Sequence, residues 1–140
     1  MLLSELITAL KEDVDDATLG FYTAKRAFER SAAQVNKDAS TSYVVSGDDE
    51  SEATITPSPT SQHQEALLIL AARYLAGQGR INASNRLSWK SGDKSVDRSR
   101  QALTKKEIVD GLWAEYVQLM GLDSESLVSA ASFEHQGSDD

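Results

Sequence analysis

Two acidic clusters hold the side chains best suited to bind a metal ion: Glu12, Asp13, Asp15 and Asp16, and then Asp48, Asp49, Glu50 and Glu52. A calcium loop needs oxygen ligands at alternate places, a glycine at the sixth and a glutamate at the twelfth, and neither cluster follows that pattern. Both read as solvated acidic faces. His63 lies in a helix-start region and His135 near the C-terminus, with no local spacing that would make a metal site. Surface or capping roles are expected for both. The chain has no cysteine, which removes disulfides, zinc–thiolate centres and thiol nucleophiles together. Gly92-Asp-Lys-Ser95 has the residue types of a phosphate loop, yet the upstream glycine is missing and Asp93 separates Gly92 from Lys94. Asn82-Ala-Ser84 matches a glycosylation acceptor, which matters only on a secretory route. No Ser/His/Asp arrangement and no glycine-rich dinucleotide fingerprint can be assembled from the sequence. The expectation is a protein that is not an enzyme and takes no cofactor and no metal.

The strongest chemical signal is electrostatic. Residues 80–106 carry eight cations, Arg80, Arg86, Lys90, Lys94, Arg98, Arg100, Lys105 and Lys106, against Asp93 and Asp97, a local charge of +6 in a chain of net charge -8. Trp89, Asn82 and Asn85 are interleaved with them, a composition suited to nucleic acid. The acidic body, with a pI near 4.7, opposes encounter with DNA. A basic loop lining a DNA conduit, where binding stays weak, is compatible with both. Trp89 has two readings: an aromatic beside a turn covers the edge of its own core, or, next to arginine, anchors an interface.

Charge is also uneven along the chain. Residues 1–60 hold five Lys/Arg and eleven Asp/Glu, residues 61–120 nine and six, and residues 121–140 none and five. Opposite poles suit head-to-tail or ring contacts between copies.

The elements that position these groups follow from periodicity. Leu2, Leu3, Leu6, Ile7 and Leu10 predict a short amphipathic helix that stops in the acidic run at 12–16. Thr18 is placed to cap a second helix, with Phe21, Ala24, Phe28, Ala32 and Val35 on one face, ending near Lys37. Residues 43–45 and 53–56 are β-prone and flank a turn-rich acidic connection, which predicts a hairpin. After Pro57 and Pro59, Ser61 and Gln64 have capping-box spacing, opening a helix over about 62–77 that is apolar nearly all round. Such a helix must be central. Gly77 and Gly79 end it, and residues 80–96 predict an extended arm or second hairpin. The last helix starts at Asp97 or at Thr104, where Thr104 and Glu107 form another capping box, and Gly121 stops it.

Residues 122–140 are Ser-rich and acidic and are expected to be disordered in the free chain, with Leu127, Val128 and Phe133 as apolar anchors for a partner. The fold class expected is mainly α: a small bundle of about four helices with one or two short β-hairpins or extended arms and a disordered C-terminal tail, divided as a domain over 1–121 and a tail over 122–140. No run is long and apolar enough for a membrane span, and residues 1–10 lack the basic region of a secretory signal. A soluble protein made in the cytoplasm is expected.

This order of elements, including Ser88-Trp-Lys-Ser-Gly-Asp-Lys-Ser-Val-Asp97 before the last helix, resembles the head-tail connector (adaptor, or head-completion) proteins of tailed bacteriophages over residues 1–120. The resemblance implies a non-catalytic virion protein at the head–tail interface, commonly a ring of about twelve copies around the DNA channel. One side docks to the portal protein and the other to a stopper or tail-completion protein. It implies Trp89, Lys90, Lys94, Arg98 and Arg100 at subunit or channel contacts, and Leu127, Val128 and Phe133 at portal docking. The alternative is a small helical nucleic-acid-binding or regulatory protein of the DNA-packaging machinery, whose basic arm binds DNA in its own right.

Overall fold

Leu3, Leu6, Ile7, Leu10 and Val14 share one side of the first helix, α1 (Leu3–Val14), and all five are buried. The structure, a computed structural model, describes residues 1–80 and 104–122. Helix α1 runs past Leu10 and stops inside the acidic run at 12–16, as expected. Val14 lies four residues beyond Leu10 on the same stripe, and its burial carries the helix on. Asp15, in the left-handed conformation at φ 53°, ends it.

Helix α2 (Phe21–Ala39) buries Ala24, Ala27, Phe28, Ser31, Ala32 and Val35. Thr18 does not cap it; Gly20 occupies that place without a side-chain bond. The Thr18 amide and hydroxyl both donate instead to the Asp16 carboxylate, at 3.1 and 2.6 Å, so Thr18 shapes the preceding turn. Ser31 is satisfied inside the core by donating to the Ala27 carbonyl at 2.7 Å.

Strands β1 (Val44–Ser46) and β2 (Thr54–Thr56) form the expected antiparallel hairpin, with Val45 opposite Ile55. Gly47 is required at its turn. Its φ is +103°, and a Cβ there would stand 2.7 Å from the Ala53 Cα. Asp49 winds the connection by accepting from the Ser51 amide and hydroxyl at 2.9 and 3.0 Å. Leu2, assigned from its spacing to the first helix, stands just before it as its N-cap and makes an isolated β-bridge to Thr54. The Leu3 amide donates to Ala53 and the Ile55 amide to Met1, each at 2.9 Å.

Helix α3 (Ser61–Gly77) is the centre of the molecule, packed by α1, α2 and the last helix. Its cap is Thr60, one residue before the expected Ser61. Thr60 accepts from the His63 amide at 3.1 Å, while the Gln64 side chain donates to the Pro59 carbonyl. Helix α4 (Lys105–Met120) begins with the Thr104–Glu107 capping box and ends at Gly121, φ 69°, both as expected. It lies antiparallel to α3: Gln62 donates to Leu119 O at one end and Lys105 to Gly77 O at the other.

The layers run in a definite order. The hairpin packs on α1 and α2, these pack on α3, and α4 closes the far side of α3. Among the described residues the fold is thus four helices and a two-stranded hairpin, the mainly α bundle read from the sequence.

Candidate functional site

The arm residues Trp89, Lys90, Lys94, Arg98 and Arg100 and the tail residues Leu127, Val128 and Phe133 lie outside the described residues, as does the choice between helix and arm for residues 97–103. The two roots of the arm are described. At the end of α3 the Arg80 guanidinium meets the Asp16 carboxylate at 2.9 Å, and at the start of α4 Lys105 reaches the Gly77 carbonyl. Both roots therefore stand at the same end of the bundle.

Three of the eight cations are engaged there by their own fold: Arg80 with Asp16, Lys105 with Gly77, and Lys106 with Asp110 at 2.7 Å. Bonds from Thr18 and then the Arg80 guanidinium hold the Asp16 carboxyl below the usual carboxylate range. Asp16, read from the sequence as part of a solvated acidic face, is in fact a structural clamp. The remaining five cations belong to residues 81–103.

At the opposite end the polar contacts are structural. Tyr43 and His63 share a 2.7 Å hydrogen bond between the hydroxyl and Nδ1. The Asn36 side chain binds both the amide and the carbonyl of Tyr43. The Tyr116 hydroxyl donates to Asp38 at 2.6 Å. His63 is thereby given a role beyond the capping expected of it.

Arg73, the one cation of α3, lies over the Trp113 ring with its guanidinium carbon 4.9 Å from the centroid. Burial lowers its pKa from the ordinary arginine value, and the Asp110 carboxylate opposes that shift. The Arg73 Nε and the Trp113 indole nitrogen are buried without hydrogen-bond partners. This pair seals the α3–α4 contact; its surroundings suit packing better than ligand capture.

Among the described residues, no group of three or more His, Asp or Glu side chains is gathered closely enough to hold a metal ion, and no helix is long and apolar enough to cross a membrane. What the molecule does present is the outer side of the hairpin. Among the described residues Leu2, Tyr22 and Val44 are the exposed large apolar side chains, and they lie on the hairpin, at the residue bridged to it or on the helix turn bonded to its tip. The Tyr22 hydroxyl donates to the Asp48 carbonyl, and Lys25 pairs with the Asp48 carboxylate at 3.3 Å. Sequence reasoning missed this surface. Val44 could have been found by alternation with Tyr43 and Val45, but nothing in the sequence marks Leu2 or Tyr22 as outward. No family model, curated protein or solved structure matches this chain.

Proposed function

We propose that this chain is a structural, non-catalytic component of a phage head–tail junction, a connector that assembles as a ring under the portal protein around the DNA channel. The observation that supports this reading best is the division between body and arm. A helical core closes around α3, while the most basic part of the sequence is inserted between two roots at one end of that core. A ring subunit needs a body that holds its shape and a separate segment to reach its neighbours. The portal and a stopper or tail-completion protein are its partners in this reading, and channel DNA passes close to the arm without specific binding.

The test is charge reversal in the arm. Lys94→Glu, Arg98→Glu and Arg100→Glu together should leave the thermal unfolding of the chain unchanged and abolish its incorporation into portal-bound assemblies. Unchanged incorporation would remove these residues from the interface. A DNA affinity of the unmodified protein tighter than about micromolar at physiological salt would favour an independent nucleic-acid role over the ring.

A further inference from the structure

We infer that the outer face of the β1–β2 hairpin is the acceptor for the basic segment 81–103 of a second copy of the chain. The inference deepens the ring reading and rests on it for the closure of the assembly.

Pairing register fixes which side chains share that face. Leu2 is opposite Thr54, which is opposite Ser46, and Val44 is opposite Thr56. Because side chains alternate along a strand, Leu2, Val44, Ser46, Thr54 and Thr56 project together. Ile55 projects the other way and is fully buried. Val44 is 55% and Leu2 43% exposed on the outer face, and Tyr22, at 70%, stands beside the hairpin tip. Apolar side chains this exposed, gathered around one hairpin, mark a contact surface.

The tip supplies the charge. Lys25 engages Asp48, but Asp49, Glu50 and Glu52 are exposed and form no ion pair among the described residues. Bonds from the Ser51 amide and hydroxyl hold the Asp49 carboxyl below its ordinary range, so it stays ionised. The surface thus combines three carboxylates with aliphatic and aromatic side chains. Segment 81–103 is its complement in composition: five cations, with Leu87, Trp89 and Val96 among them.

The layer order favours a second copy over the chain's own arm. The arm is rooted on α3 and α4, whereas the hairpin packs on α1 and α2 and turns its outer face away from them. A segment of one copy seated on the hairpin of the next makes a heterologous, head-to-tail contact, which is the kind that closes a ring. Electrostatic complementarity fixes its register and makes it salt-sensitive.

The absence of cysteine allows a direct test on the full-length chain. Glu50→Cys and Lys94→Cys are made as separate proteins, checked for unchanged thermal unfolding, mixed, and oxidised with copper phenanthroline. The mixture should yield disulfide-linked dimer about fivefold above either protein alone at low ionic strength, and the excess should disappear at about 1 M salt, where screening acts within about 3 Å. No excess in the mixture would overturn the inference. So would a chain carrying both substitutions that closes on itself in preference to linking two copies. The portal takes no part in this experiment, so its failure leaves the connector reading untouched, and failure to bind portal with the cross-link intact would remove that reading alone.

Discussion

The Tyr116 hydroxyl donates to the Asp38 carboxylate at 2.6 Å, joining the C-terminal half of α4 to the last turn of α2. Gln34 donates to the same oxygen at 2.8 Å. Tyr116 is fully buried, so the bond is shielded from water along most of the side chain. Tyr116→Phe keeps the ring and removes the bond. It should cost about 1.5–3 kcal/mol, the range for a hydrogen bond to a charged group, measured by urea unfolding at neutral pH. A loss below about 0.5 kcal/mol would mean that Gln34 alone satisfies Asp38.

The same pair predicts a pH dependence. Burial, and then the Asp38 carboxylate, push the Tyr116 hydroxyl well above the ordinary tyrosine value of 10.0. Its folded form therefore keeps a proton that the unfolded form loses. The associated stability is fully present below pH 10 and declines as pH rises above it, by up to about 1.4 kcal/mol per pH unit. The advantage of the unmodified protein over Tyr116→Phe should accordingly narrow above pH 10. Tyr22, Tyr43 and Tyr74 are common to both proteins, so the difference isolates Tyr116. A constant gap through that range would contradict the assignment.

At the hairpin turn, Gly47 leaves no space for a side chain. Gly47→Ala must place its Cβ against the Ala53 backbone and hold a positive φ. It should destabilise by more than about 1 kcal/mol. The helices do not depend on this turn, so helical circular dichroism at low temperature should stay near the unmodified level while the midpoint of unfolding falls.

Thr104 is the N-cap of α4. Its hydroxyl accepts from the Glu107 amide at 3.1 Å, and the Glu107 carboxylate accepts from the Thr104 amide at 2.9 Å. Thr104→Ala should cost about 1 kcal/mol, and Thr104→Ser should restore most of it. Equal stability of the Ala and Ser variants would show that the helix start is held by other contacts.

The fold was legible wherever apolar periodicity was long. The all-round apolar pattern of α3 required a central position, and the structure places it there. The capping box at Thr104 and the glycine stop at Gly121 were read to the residue, because each rests on a local bond between near neighbours. The errors fell where tertiary contact overrides local pattern. Thr18 and Ser61 have the residue type of a cap, but Gly20 and Thr60 hold the extended backbone that a cap needs. Leu2 satisfied a helical stripe, yet periodicity does not fix the first residue of a helix, and Leu2 is the N-cap, held in extended backbone by its bridge to Thr54.

The candidate surface was legible only in its charge. The sequence marks the arm as basic and the residues 48–52 as acidic. That Leu2 joins Val44 beside the acidic tip depends on a pairing between residues more than fifty apart, which no local pattern carries.

The connector reading is tested most directly by co-sedimentation of the purified full-length chain with portal rings encoded by its own genome, with stoichiometry read by mass. Saturable binding near one copy per portal subunit is the predicted result. Absence of binding by the intact chain at concentrations well above micromolar would contradict the connector role.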